Sequence, residues 1–300
     1  MLQAVRQFAD PEVAHDFFVQ IRWPNGVACP RSGCGSAHVA YLKNVRRWYC
    51  NDCKKQFSAK VGTIFEDSPI GLDKWLPAIW LLASNRNGIS SHELARALKV
   101  TQKTAWFMLH RIRETMGDKP LGKFAGPVEA DEVYIGGKTK DVMGPQGWLI
   151  HGAKSKDKTP VVGIVERKGN VRAFVVEKIN RDTMLGLLRA HVEPGAVVYT
   201  DAFNAYRHAA DHFVHHIINH SKEYVRGHIH TNNIEGFWSV FKRTIKGTYV
   251  KPQPQHLQRY VEEQVFRFNA REEQDGPRFA KATKATDGKR LTYKVLTAKE

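Results

Sequence analysis

From about Gly126 the apolar residues change from a helical to a strand rhythm, and this change constrains the fold more than any other feature. PVEADEVYI, TPVVGIVERKG and NVRAFVVEKI are three successive strand-like runs rich in β-branched residues. A helical run, RDTMLGLLRAHV, follows, then the strand AVVYTD, a short helix (NAYRHAA) and an apolar strand, FVHHIIN. Three strands in series, then helix and strand alternating, demand a mixed sheet flanked by helices. One more helical run follows, NNIEGFWSVFKRTIKG. Its Ile234, Phe237, Trp238, Phe241 and Ile245 recur as one apolar stripe, which leaves Glu235, Ser239, Lys242 and Lys246 on the flank beside it.

Acids fall at telling places on this frame. Asp131 lies inside the first strand, with Glu129 on its face and Glu132 on the opposite one by alternation. Asp201 ends the fourth strand, and ligands of open α/β sheets gather beyond strand carboxyl ends. Glu235 opens the last helix, and Lys242 stands two turns further on. An acid in an apolar strand is unfavourable unless it is paired or metal-bound. Two acids on strands and one on a helix make a cage for two Mg²⁺ ions, with Mn²⁺ as a substitute, facing a phosphodiester. Glu235 also has a local reading, because Asn232 to Glu235 is the spacing of a capping box. Asn232 shares the flank and could itself supply a ligand oxygen.

The N-terminal third reads differently. All four cysteines lie between positions 29 and 53, as Cys29 and Cys34, then Cys50 and Cys53. Two Cys pairs around a hairpin-length segment suit one structural tetrahedral zinc and argue against a disulfide scaffold. The gap in the first pair is wider than the usual two residues, and His38 is a weaker ligand alternative to Cys34. Gly33 and Gly35 flank Cys34, where the backbone must fold back. Beyond a linking run, VGTIFEDSPIGLDK, Trp75 to Ser84 is apolar almost all round. Ser90 with Glu93 forms a capping box for ELARALKV, and VTQKT turns into AWFMLHRIRETM. Two short helices on a tight turn match a helix-turn-helix, with Gln102, Lys103 and Thr104 placed to reach DNA base edges. Trp106, Leu109, Ile112 and Met116 fall at core spacing.

The net charge of +16 favours a polyanionic partner, and nucleic acid is the commonest. No run of eighteen apolar residues exists, and the first residues lack a signal-peptide core, which points to a cytoplasmic, DNA-associated protein with no membrane partner. Seven of the fourteen histidines fall between His208 and His230, at spacings that fit no standard metal motif. The Gly- and Lys-rich loop from Gly136 to Lys158 reads as a flexible hairpin loop. Residues 273–300 read as a weakly ordered basic tail.

WYCNDCKKQFSAKVGTIFEDSPI, VEADEVYIGGK, VVYTDAFNAY and HTNNIEGFWSVFKRTIKGTYV together resemble the DDE transposases of bacterial insertion sequences, in the branch with an N-terminal zinc ribbon. The resemblance implies an RNase H-like, integrase-type core. It implies Mg²⁺-dependent hydrolysis at transposon 3′ ends, transfer of those ends into target DNA, and a homo-oligomer bound to terminal inverted repeats. It carries Asp131 and Asp201 onto the first two acids and Lys242 onto the basic residue after the third. Relatives carry either Glu or Asn at the third position; Glu235 is the choice here, with Asn232 as the alternative. Lys242, Arg243 and Lys246 would approach DNA phosphates. The expected architecture is multi-domain α/β: an N-terminal helix and zinc ribbon (1–62), a helix-turn-helix domain (63–120), an RNase H-like catalytic domain (121–272) and the tail. A DNA-binding regulator with a non-catalytic core, or a nuclease that cuts without joining, are the competing functions.

Overall fold

The computed structural model describes residues 8–117, 122–136, 140–143, 149–153, 158–206, 208–218 and 230–298, with side chains placed outside 140–143 and 149–153. Two compact units result: residues 1–117 with 270–300, and residues 118–269. The ribbon and the helix pair both lie in the first unit.

In that first unit, α1 (Pro11–Arg22) starts at Asp10, whose carboxylate accepts from the backbone N–H groups of Glu12 and Val13. Strands β1 (Val39–Leu42), β2 (Arg47–Cys50) and β3 (Gln56–Phe57) make an antiparallel three-stranded sheet in sequence order. The run expected to be a link is core: Thr63, Ile64 and Phe65 are wholly buried, and Phe65 packs edge-on against Phe18 of α1 at 5.1 Å. Helices α2 (Leu72–Ser84), α3 (Ser91–Leu98) and α4 (Gln102–Met116) follow. The side chain of Ser90 accepts from the Glu93 N–H, as its sequence signature requires, and Lys99 ends α3 in the left-handed conformation.

The second unit is built on a mixed five-stranded sheet. In chain order its strands are β4 (Val128–Ile135), β7 (Thr159–Glu166), β8 (Val171–Val175), β9 (Val197–Asp201) and β10 (Val214–Ile218). Between the first two, β5 (Lys140–Met143) and β6 (Leu149–Ala153) pair as a separate antiparallel ribbon. That ribbon occupies part of the expected flexible loop; residues 137–139, 144–148 and 154–157 of the loop lie outside the described residues. The main sheet runs β10-β9-β4-β7-β8, with β7 antiparallel to both neighbours and β9 parallel to β4 and β10.

Helices cover both faces. On one, α5 (Arg181–His191) contributes Met184, Leu185 and Leu188 to a core with Val128, Ala130, Ile164 and Val198. On the other, α6 (Asn232–Thr244) and α7 (Leu257–Asn269) pack on Val133, Val161, Val165 and Ala173. The whole apolar stripe expected from the sequence, Ile234 through Ile245, is buried there. Alternation along β4 and β7 divides these two cores, as a sheet covered on both faces requires.

The segment 273–300, expected to be a weakly ordered basic tail, instead carries α8 (Asp275–Lys284) and α9 (Tyr293–Thr297). Phe279 of α8 is buried, with its ring 5.3 Å from Trp80 of α2 and 5.8 Å from Phe17 of α1. Thr63 and Asp287 form a β-bridge, and the Gly288 N–H donates to the Gly62 carbonyl at 2.8 Å. Among the described residues, no helix is long and apolar enough to cross a membrane.

Candidate active site and metal centre

The four cysteines meet. One sulfur from each of Cys29, Cys34, Cys50 and Cys53 lies within 4.8 Å of all the others, the single such His, Cys, Asp or Glu group among the described residues. The Cys29 and Cys53 sulfurs are 3.8 Å apart and those of Cys34 and Cys50 are 3.6 Å apart. Four thiolates at zinc–sulfur distance around a tetrahedral ion stand about 3.8 Å from one another, so the cluster fits one zinc with no ligand position left open. Gly33 and Gly35 both take positive φ, which lets the wide first knuckle wrap around Cys34. Burial pushes the Cys29 thiol up to about 12, whereas backbone N–H groups, that of Cys53 foremost, pull Cys50 down to about 6. A bound dication holds all four as thiolates. His38 is not a ligand: its Nδ1 lies 3.4 Å from Asp52 Oδ1, so it braces the second knuckle from outside.

The α3–α4 pair exposes Gln102 and Lys103 at the start of α4, with Thr104 half-buried beside them. Thr101 caps the helix by accepting from the Thr104 N–H at 3.2 Å. Gln102 Nε2 donates to Ser91 Oγ at 2.8 Å and so ties the second helix back to the first. Lys103 lies over the Tyr293 ring of α9, 5.0 Å from its centroid, so the C-terminal helix flanks these residues. Leu109, Ile112 and Met116 are buried, as their spacing implies, and Trp106 is half-buried against His110.

The acidic residues gather around Asp131. The parallel pairing of β4 with β9 sets Val128 opposite Val198 and Glu129 opposite Tyr199, and Asp131 and Asp201 each stand two residues further along their strands. The Asp131 carboxyl is pushed up to about 6, first by burial, then by the charges of Asp201 and Glu235, while Lys242 acts the other way. Those four groups are thus within electrostatic reach of one centre. They are not drawn tight, because the three carboxylates do not form a group of oxygens within 4.8 Å among the described residues. Glu132, on the other strand face, rises to about 7 through burial and the charges of Asp201 and Asp131; it accepts from the Tyr206 hydroxyl at 3.2 Å. Asp131, Asp201 and Glu235 offer the hard oxygen donors that Mg²⁺ takes.

Glycine opposite Asp131 brings the third acid near. Gly163 of β7 pairs with Asp131, and a Cβ there would stand 2.6 Å from Trp238 Cζ2 and 2.8 Å from Ile234 Cδ1. Only a bare backbone lets α6 lie this close to the sheet. Glu235 is exposed, and its carboxylate accepts from the Thr231 hydroxyl at 3.0 Å. The capping-box alternative does not form: Thr231, not Asn232, is the N-cap, its side chain caps no backbone N–H, and Asn232 is exposed. Lys242, Arg243 and Lys246 are all exposed.

The principal residue missed from the sequence is Glu129. Its side chain is fully buried, and its two oxygens accept from the N–H groups of Asn233 and Ile234 and from Asn233 Nδ2, at 2.8 to 3.1 Å. Arg167 adds a salt bridge at 2.9 Å. Alternation had placed Glu129 beside Asp131, but nothing local to it named the helix as its partner. The histidines share no site among the described residues: His215 bonds Thr200, His208 bonds Asp211 and His216 stacks on Tyr199. His220 and His228 lie outside the described residues.

Comparison with known proteins agrees with the motifs. Residues 123–269 match the model of the ISXO2-like transposase domain, and residues 9–56 match the transposase zinc-ribbon domain. An uncharacterized protein in transposable element ISH50 of Halobacterium salinarum is 30% identical over 256 residues, which are 81% of this chain and 85% of that one. An uncharacterized transposase-like protein of Haemophilus influenzae is 34% identical over 103 residues, 34% of this chain and 83% of its own. Among solved structures, a pre-cleavage Mos1 transpososome aligns with 69% of this chain and 76% of its own at 14% identity. Its TM-score of 0.21 is too low to bear on the fold. Matched along most of its length by a transposable-element protein, and carrying both domain signatures in order, the chain belongs to the ISXO2-like transposases with an N-terminal zinc ribbon.

Proposed function

We propose that this transposase cuts the 3′ ends of its own element and joins them to target DNA, using Asp131, Asp201 and Glu235 as its Mg²⁺-holding carboxylates. The single observation that carries the reading is the electrostatic convergence on Asp131 of β4, which feels Asp201 from β9 and Glu235 and Lys242 from α6. The order β10-β9-β4-β7-β8, with β7, next to the β8 edge, as its one antiparallel strand, supports an RNase H-like core. Bound there, Mg²⁺ would supply charge stabilisation to the attacking and leaving oxygens of an in-line displacement.

The rest falls to the chain's own residues. Asp131 is paired with Gly163 of β7 and Asp201 with Ile218 of β10, so both acids stand on hydrogen-bonded strands and not on flexible loops. Glu235 arrives on a helix packed against the same strand. Lys242 and Lys246, exposed on that helix, would hold a phosphate in line and position it for attack. Gln102, Lys103 and Thr104 would read the terminal repeat in a major groove, with the helix pair acting as a helix-turn-helix. Glu235 is taken as third ligand because its charge acts on Asp131, with Asn232, a neutral amide on the same exposed flank, as the alternative.

The test uses duplex DNA taken from either side of the protein's own gene, in Mg²⁺. Expected are 3′-end nicking and, with pre-cut ends, joining to a target plasmid, both lost in Asp201→Ala with end binding retained. Cutting without joining marks a nuclease. Binding without any cutting marks a regulator and ends the proposal.

A further inference from the structure

One pleat beneath the three acids, a second set of side chains links the same three elements. Glu129 is two residues before Asp131 on β4, Tyr199 two before Asp201 on β9, and Asn233 two before Glu235 on α6. Residues two apart on a strand share a face, so Glu129 and Tyr199 lie under their acids. Glu129 and Tyr199 are register partners. The Glu129 carboxylate takes the first free N–H groups of α6, at Asn233 and Ile234, plus the Asn233 amide. Arg167, just past the end of β7, donates to Glu129 at 2.9 Å and to the His230 carbonyl at 2.7 Å, and its guanidinium lies 3.9 Å from the Tyr199 ring centroid.

This is not an ordinary helix cap. The Thr231 side chain leaves the cap position empty and turns to Glu235, while an acid about a hundred residues earlier takes its place. A fully buried carboxylate is tolerated only when its oxygens are satisfied and its charge is compensated, and here N–H donors, the α6 dipole and Arg167 do both. Such an anchor is rigid, because leaving any member unpaired in the interior is strongly unfavourable.

We propose that Glu129 and Arg167 are positioning residues that set the spacing of Asp131, Asp201 and Glu235, so that a divalent cation finds the three carboxylates at one fixed separation. The inference rests on the acid trio being the metal-holding site. Glu129 touches no reacting atom in this scheme; it acts through the start of α6.

The experiment uses the full-length, zinc-loaded protein and reads two quantities besides folding. These are the Mn²⁺ dissociation constant from water-proton relaxation, and nicking of duplex DNA from the gene's flanks at saturating Mg²⁺. Glu129→Gln keeps the size of the side chain but replaces one acceptor oxygen by a donor facing Arg167 or the helix N–H groups. It is expected to bind Mn²⁺ at least about threefold more weakly and nick about 10–100-fold more slowly, the range that misplacement of a reacting group produces. Folded Glu129→Gln with wild-type Mn²⁺ affinity and nicking overturns the inference. If that variant fails to fold, Asn233→Ala decides, since it trims one bond from an exposed residue: weaker Mn²⁺ binding supports the anchor, and unchanged binding overturns it. Asp131→Asn is the control for the underlying reading. Should it too bind Mn²⁺ and nick as wild type, the acid trio is not the site, and the anchor falls with it.

Discussion

Asp201 raises the proton affinity of Asp131 across two neighbouring parallel strands, adding to the larger effect of burial, and the Asp131 carboxyl titrates at about 6 as a result. The unfolded chain releases the same proton near about pH 3.9. Between these values the folded state binds more protons than the unfolded one, so ionising Asp131 weakens the fold as pH rises through that window. In Mg²⁺-free protein, Asp131→Asn is expected to be more stable than wild type above pH 6, by about 2–3 kcal/mol, with the gap closing toward pH 4. Urea denaturation at a series of pH values measures this. A constant gap across the series contradicts the assignment.

Gly163 predicts a steric result. Alanine there places a Cβ against Trp238 and Ile234 at distances atoms do not adopt, so α6 must lift from the sheet. Gly163→Ala is expected to lose about 1–3 kcal/mol of stability, the usual range for overpacking. It is also expected to lose Mg²⁺-dependent nicking, because Glu235 rides on the displaced helix. Trp238 fluorescence reports the movement directly, and an unshifted spectrum with full activity counts against close packing as the requirement.

The zinc prediction concerns structure and not catalysis. Cys34→Ser leaves three thiolates where four now lie within 4.8 Å. Bound zinc, measured by colorimetric release, is expected to fall from one per chain toward zero, and the β1–β2–β3 sheet to become open to protease. Full retention of zinc by the variant would mean that another group, not Cys34, closes the tetrahedron.

Phe279 tests the C-terminal segment. Its ring is buried against Trp80 and Phe17, so Phe279→Ala is expected to cost about 3–5 kcal/mol, as for other large-to-small core changes. Thermal unfolding checks it. A change below about 0.5 kcal/mol, typical of a surface site, would restore the picture of a loose basic tail.

Local signals were enough for some of this. The cysteine knuckles could be read directly because their ligands sit close together in the chain, with glycines where the backbone must turn. The stripe from Ile234 to Ile245 announced both a helix and its buried face, and the strand runs placed Asp131 in a strand and Asp201 at the end of one. The helices of residues 275–297 were hidden, because their few apolar anchors (Phe279, Leu291 and Leu296) stand among many charges, and burial depends on partners supplied by distant helices.

Periodicity and side-chain chemistry thus determined which residues lie in strands, which face of α6 is buried and which four sulfurs can share an ion. Those properties are set by neighbours within a few positions. Tertiary structure alone decided that Glu129 anchors α6, that Gly163 admits it and that Thr231 turns to Glu235. The bonds of Glu129 to Asn233 join residues 104 positions apart, and no local pattern encodes a contact made only after β4, β7 and α6 have packed.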